Sequence, residues 1–225
     1  PGGMLSWGIP EYRLPKTILN KEIDAIKNVG VDIKTNTKVG EHITLEDMQS
    51  EGYKAVYLAA GAQLNAKLGI PGEDVDGVVD PLQFLKAHNL NGNAVIGKKV
   101  AVIGGGNTAV DAARTAWRLG ADVTILYRRT RGEMPAISEE INEALEEGVK
   151  IKYLTLPVEA IAENGRLSKI KVVRMALQDF DSSGRRKPVP VEGSEYLMDV
   201  DTLIPAIGQT PNLNFLNGGN GINLS

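Results

Sequence analysis

Apolar and polar positions along this chain follow two rhythms, one near every second residue and one near every third or fourth. The switches between them mark out the elements. Val100, Ala101, Val102 and Ile103 run together without a polar break, the pattern of a strand covered on both faces. Glycines follow at 104, 105 and 106. Val110, Ala113 and Trp117 then recur at helical spacing, and Gly120 supplies the stop. Val123, Ile125 and Tyr127 alternate as a second strand.

Upstream, Leu19, Ile23 and Ile26 predict a helix over 15–29, ended by Gly30. Residues 31–39, VDIKTNTKV, read as a strand. Thr44 with Asp47 three residues on has the form of a capping box before a short helix that Gly52 ends. Residues 54–61, KAVYLAAG, read as a buried strand running into a glycine turn, where backbone approaches a ligand closely. A connector follows, with a turn at Ile70-Pro71-Gly72 and a short helix from Asp80 to Ala87 anchored by Leu82 and Leu85.

Downstream, Ile137, Ile141 and Leu145 predict an amphipathic helix with its glutamates on the wet face. Residues 151–177 have β character, and Asn164-Gly165 is a hairpin turn. Another turn is expected at 181–188, with Arg185, Arg186 and Lys187 as a solvated loop tip; contact of this cluster with a cofactor phosphate is the lesser alternative. Residues 201–208 read as a strand into a second glycine turn, matching the one at 61. Two such turns flank the central unit, which suggests one nucleotide domain inserted into another.

That central unit carries the chemistry. Strand, Gly104-x-Gly106-x-x-Ala109, helix and strand form the βαβ fingerprint for a dinucleotide. The first glycine allows a tight turn, the second admits a pyrophosphate, and the third position must be small so that helix and strand pack. The helix start offers free N–H groups and a positive dipole end. NAD-binding units place an acidic residue at the end of the second strand; Arg128 and Arg129 stand there instead, with Arg131 close behind. Guanidinium groups pair with a 2′-phosphate that a carboxylate would repel, so NADP is favoured over NAD. The alternative is that these arginines are solvated or paired with Glu133, Glu139 or Glu140.

Composition narrows the chemistry further. A net charge of −3 argues against a nucleic-acid partner, and no apolar run approaches a membrane span. The first residues lack the basic and apolar stretches of a signal peptide, so a cytoplasmic location is expected. There is no cysteine, which excludes a redox dithiol, cysteine-held iron–sulfur clusters and a thiol nucleophile within these residues. His42 and His88 stand isolated and read as surface or satisfied histidines; no metal site is expected. Any reaction must therefore run on a cofactor.

Further landmarks are Gly2-Gly3, Gly8-Ile9-Pro10, Arg13-Leu14-Pro15, Ala59-Ala60-Gly61-Ala62, Asp111, Arg114, Met134-Pro135 and Ala206-Ile207-Gly208 with Pro211-Asn212. With the fingerprint and Tyr127-Arg128-Arg129, they run through essentially the whole sequence. On them the chain resembles the small (beta) subunit of NADPH-dependent glutamate synthase and its relatives. These include the NADPH-side subunit of ferredoxin–NADP transhydrogenases and the flavin half of dihydropyrimidine dehydrogenase.

The resemblance implies an α/β fold: a Rossmann-like NAD(P)-binding domain of three-layer β/β/α character, inserted in an incomplete FAD-binding domain. Expected boundaries are 1–64 for the partial FAD-binding domain, 65–97 for the connector, 98–207 for the NAD(P)H-binding domain and 208–225 for the return to the FAD-binding domain. The family's first FAD fingerprint is expected before Pro1 and its second flavin segment after Ser225, so FAD is expected in a longer parent protein.

The implied activity is an NADPH-dependent FAD oxidoreductase. Hydride passes from NADPH to FAD, and electrons leave through iron–sulfur clusters to a partner subunit. No side chain need act as acid or base. Carried onto this sequence, Gly104, Gly106, Asn107 and Thr108 line the NADP pyrophosphate, and Arg128 and Arg129 meet the 2′-phosphate. Ala206, Ile207 and Gly208 border the nicotinamide half. Gly2, Gly3, Ile9 and Arg13 face the flavin nucleotide, with Gly61 at the matching glycine turn. Ile9 reads equally as a core residue, and Asp111 and Arg114, three apart on a helix, as a pair with each other. Two other readings stand beside this one: an NADP-binding module that turns nothing over alone, and the NADPH subunit of a ferredoxin–NADP transhydrogenase.

Overall fold

The computed structural model describes residues 1–180 and 184–216. Helices α1 (Gly3–Trp7), α2 (Lys16–Asn28) and α3 (Leu45–Ser50) precede a short strand β1 (Leu64–Asn65). Then come α4 (Pro81–Asn91), β2 (Lys99–Ile103), α5 (Asn107–Arg118), β3 (Asp122–Tyr127), α6 (Ser138–Glu147) and β4 (Lys150–Tyr153). The chain crosses to β5 (Thr155–Glu163), β6 (Arg166–Phe180), β7 (Arg186–Pro190) and β8 (Tyr196–Asp199). It returns as β9 (Thr202–Pro205) and leaves through β10 (Gln209–Thr210).

Strands β4, β3, β2 and β9 lie in that order as a parallel sheet. Val102 pairs with Ile125 on one side and Ile204 on the other. Because side chains alternate across a strand, β2 sends Val100 and Val102 to one face and Ala101 and Ile103 to the other. The first face packs on Val110, Ala113 and Ile141 of α5 and α6 and on Phe84 and Leu85 of α4. The second packs on Ala160, Leu167, Ile170 and Val172 of the antiparallel sheet. Helices, parallel sheet and antiparallel sheet are thus three layers with two cores, the β/β/α arrangement expected. Val100, Val102, Val123, Ile125 and Ile204 are all buried, each side chain contributing about 1.5–3 kcal/mol by leaving water.

Several predicted elements recur. Helix α2 falls within 15–29, Thr44 and Asp47 form the capping box of α3, and Asp80 caps α4 through the N–H groups of Leu82 and Gln83. Leu82 and Leu85 are buried. Strands β5 and β6 meet at Asn164-Gly165. Residues 65–97 are more than a connector. Pro71 O accepts from the Ala160 N–H at 2.8 Å, and Val79 N–H donates to Leu203 O at 2.8 Å, so the segment ties both sheets.

Other expectations fail. Residues 31–39 form no strand; Val39 makes only an isolated bridge to Ile43. Residues 54–61 are neither strand nor buried, and Tyr57 is 93% exposed. An apolar run becomes a strand only where a neighbour completes its ladder, and none does so among the described residues. On α6 the buried positions are Ile141 and Ala144, while Ile137 and Leu145 are exposed; Trp117 of α5 is also exposed. The last turn at 181–188 starts in residues outside the described ones, as does the 208–225 return beyond 216.

The unit closes on itself. β1 pairs with β10, Leu64 opposite Thr210 and Asn65 opposite Gln209, so the chain enters and leaves side by side. Among the described residues, no helix is long and apolar enough to cross a membrane.

Candidate nucleotide-binding site

From β2 the chain winds outward through β3 to β4, then β9 returns to the opposite side of β2. Open α/β sheets take ligands where the winding reverses, outside the carboxyl ends of the strands. A cleft of about 620 Å³ lies there. Gly104, Gly106 and Thr108 line it from the turn into α5, Arg128 and Arg129 from the end of β3, and Ala206, Ile207 and Gly208 from the end of β9. The facing wall is Leu68 to Pro71 and Leu156 to Val158.

The three consecutive glycines have different reasons to be glycine. Gly104 has φ 139°, and a methyl there would drive into the Ala206 carbonyl oxygen. Its N–H is held by Leu126 O at 3.1 Å, while Ala206 N–H donates to Ile103 O at 2.7 Å. A methyl on Gly105 would meet the Tyr127 ring at 2.6 Å, and the Gly105 carbonyl accepts from Ala136 N–H at 3.0 Å. Gly106 is extended, φ −90°, and a methyl there would touch nothing within 4 Å. That space lies at the helix start, where no side chain among the described residues caps α5. The first N–H groups of α5 have no intrahelical acceptor and sit at the positive end of its dipole, a seat for an anion.

The arginines at the end of β3 are not equivalent. Arg128 is exposed in the cleft. Arg129 is 3% exposed, and its Nε donates to Arg186 O at 2.7 Å. Arg186 Nε in turn bonds Glu133 Oε1 at 2.6 Å, and Glu133 also accepts from the Thr130 hydroxyl and N–H. Hydrogen bonds from Thr130, against a small cost of burial, and from Arg186 hold the Glu133 carboxyl below its usual range. Glu133 therefore pairs with Arg186, and Arg131 bonds Asn142 Oδ1 at 2.5 Å. The basic triplet at 185–187 is not simply a solvated tip: Arg185 lines the cleft. Sequence reasoning held a phosphate contact for the Arg185 cluster only as the lesser reading and missed Leu68 to Pro71 and Leu156 to Val158, because each arrives through pairing with the antiparallel sheet. The only local signal was the charge of the triplet.

Asn107 does not line the cleft. Its side-chain oxygen accepts from Ile137 N–H at 3.0 Å, bracing the start of α5 against the start of α6. None of the residues assigned to the flavin lines the cleft. Gly2 lies against Ser6, Leu19 and Ile23, and Gly61 is exposed in the open segment. Ile9 is half-buried, its carbonyl accepting from Lys16 Nζ at 2.6 Å. Arg13 is engaged elsewhere: Nη1 bonds Asp111 and Nε lies 3.0 Å from Glu140.

That last contact belongs to a charge network on the far face of α5. Asp111 pairs with Arg13, and Arg114 pairs with Glu140, Glu143 and Glu147, so Asp111 and Arg114 do not pair with each other. The glutamates of α6 are not merely its wet face. Burial alone would lower the Arg114 pKa, but the hydrogen bond it donates to Glu147 and nearby charges raise it. Tyr12 lies beneath Arg114 and Arg118, 4.3 and 3.9 Å from their guanidinium carbons, and burial pushes its hydroxyl pKa up.

Fold and cleft together define a Rossmann-like unit of the NAD(P)-binding class. Residues 10–225 match the family of pyridine nucleotide-disulphide oxidoreductases, and the chain belongs to that family. With no cysteine in the sequence, the dithiol chemistry in the family's name has no side chain to run on within these residues. The chain is 46% identical over 221 residues to the NADP(+)-dependent formate dehydrogenase subunit beta of Moorella thermoacetica, covering 96% of this chain and 31% of that protein. It is 37% identical over 223 residues to the glutamate synthase [NADPH] small chain of Escherichia coli, covering 93% of this chain and 47% of that one. Mycobacterium tuberculosis FprA, solved in complex with NADPH, shares the fold: TM-score 0.76 at 19% identity, covering 92% of this chain and 61% of FprA. The chain thus spans about a third of the formate dehydrogenase subunit and about half of the glutamate synthase chain.

Proposed function

We propose that the cleft binds NADPH and that, in a longer parent protein, this unit is the NADPH side of a flavin-dependent oxidoreductase. The observation that carries the reading is the pairing of an uncapped helix start at Gly106 with Arg128 and Arg129 one strand away. The first suits the pyrophosphate and the second the 2′-phosphate. The names of the two relatives, both with an NADP-type nucleotide in them, support the choice over NAD.

Bound NADPH supplies a hydride, which in the parent goes to FAD. This chain supplies binding and orientation. The α5 N–H groups hold the pyrophosphate, with Thr108 beside them. Arg128 pairs with the 2′-phosphate, and Arg129 acts from its fixed position behind. Ala206, Ile207 and Gly208 border the nicotinamide half. The domain reading follows: 98–207 is the nucleotide unit, with 1–64 and 208–225 belonging to an FAD-binding domain, and the β1–β10 pair supports a boundary near 64 and 208. The roles of Gly2, Gly3, Ile9, Arg13 and Gly61 toward FAD belong to that parent. Relatives named as a beta subunit and a small chain favour an electron-accepting partner subunit, and the cytoplasm is the proposed location.

A second reading has its own observation. The flavin-assigned residues stand apart from the cleft lining, which favours a module that binds NADPH without turnover when these 225 residues are isolated. Calorimetric titration of the chain tests both. NADPH is expected to bind, and FAD is not. Arg128→Ala and Arg129→Ala should weaken NADPH far more than NADH; equal loss for both nucleotides refutes the 2′-phosphate assignment.

A further inference from the structure

We infer that Arg185, delivered by the hairpin between β6 and β7, is a third guanidinium on the 2′-phosphate and a determinant of NADP selectivity. The inference rests on the NADP reading above. Arg185 and the pair Arg128 and Arg129 line one cleft, although 56 residues separate Arg185 from Arg129 in sequence.

Two bonds bring it there. Arg129 Nε donates to Arg186 O at 2.7 Å, and Arg186 Nε bonds Glu133 Oε1 at 2.6 Å. Together they clamp the hairpin end to the corner after β3. Consecutive Cα atoms are about 3.8 Å apart, so the backbone of Arg185 lies beside the Arg129 guanidinium. The two neighbours then divide the work. Arg186 pairs with Glu133, and Arg185 lines the cleft. β7 holds this register, with Arg186 opposite Phe180 and Val189 opposite Ala176.

Charge makes a third cation useful. A phosphate monoester carries about −1.5 to −2 near neutral pH and presents three acceptor oxygens. Arg129 is buried and spends its Nε on a backbone carbonyl, which leaves Arg128 as the exposed donor from β3. Arg185 approaches from the antiparallel layer, so the phosphate meets cations from two sheets. Selectivity then depends on the hairpin as well as on the βαβ unit. No bond to the reacting atoms is involved; Arg185 acts on binding alone.

The test is titration of the chain with adenosine 2′,5′-bisphosphate and with ADP, for wild type, Arg128→Ala, Arg185→Gln and Lys187→Gln. Arg185→Gln is expected to weaken the bisphosphate roughly tenfold, the scale of one charge-assisted hydrogen bond, and to leave ADP unchanged. Lys187→Gln, which removes an equal charge two residues away, should change neither. If Arg128→Ala weakens the bisphosphate and Arg185→Gln does not, the inference is overturned and the NADP reading stands. Equal weakening of both ligands by Arg185→Gln also overturns it. If wild type shows no preference for the bisphosphate over ADP, the NADP reading itself fails, and this inference with it.

Discussion

Arg13 Nη1 donates to both carboxylate oxygens of Asp111, at 2.9 and 2.7 Å, across 98 residues of sequence. The bond fastens the segment between α1 and α2 to the back of the helix whose front opens the nucleotide cleft. Glu140, on α6, completes the site on the Arg13 side.

Asp111 makes the fold more stable in mild acid than at neutral pH. Burial pushes its carboxyl up to about 6, against the hydrogen bond and charge of Arg13, which pull it down; Glu140 adds to the rise. A carboxyl with a raised folded-state pKa takes up a proton on folding. Its stabilising contribution is complete below the unfolded value and is lost as pH rises through about 6. Asp111→Asn removes that dependence. The Tm of wild type minus that of the variant should fall between about pH 4 and about pH 6, read by scanning calorimetry. A flat difference across this window overturns the assignment.

Arg114 is the hub of the same face. Its side chain is 3% exposed and bridges Glu140, Glu143 and Glu147. Arg114→Ala leaves Glu140 to Arg13 and Glu147 to Arg118, and takes from both the buried cation they share. The expected loss is about 2–3 kcal/mol in urea unfolding at neutral pH, below the fully buried range because Glu140 and Glu147 keep some solvent. A loss under about 0.5 kcal/mol, within the range of ordinary surface substitutions, would show the network to be ornamental to stability.

The fingerprint glycines separate folding from binding. Gly106→Ala should change stability by less than about 0.5 kcal/mol, since its φ suits alanine and its methyl meets nothing. NADPH affinity should nevertheless fall at least roughly tenfold, because the methyl fills space needed by the pyrophosphate. Gly104→Ala should lower Tm as well, since its φ of 139° and the Ala206 carbonyl both oppose a side chain. Thermal melts with nucleotide titrations distinguish the pair; equal behaviour of the two variants would refute the division.

What could be read from sequence was local. The βαβ unit, the Asn164-Gly165 hairpin and the caps of α3 and α4 are each set by residues within a few positions of one another. Partners chosen across the fold were not legible. Asp111 and Arg114 stand one helical turn apart, yet each finds a nearer opposite charge on another segment. Residues 54–61 have the composition of a strand, but composition does not supply a neighbour. Arg185 reaches the cleft only because β6 and β7 pair in one register and Glu133 holds Arg186.

The pairing of Leu64 with Thr210 has a topological consequence. Both covalent crossings into the nucleotide unit pass through a neck one strand pair wide, about 5 Å. On the proposed domain division, a host chain interrupted here would need to span only that gap, so little loop-closure entropy would be spent in accepting the insert. On that division, such a neck would let the same nucleotide reader be carried from one host to another with its cleft unaltered, its two ends already side by side.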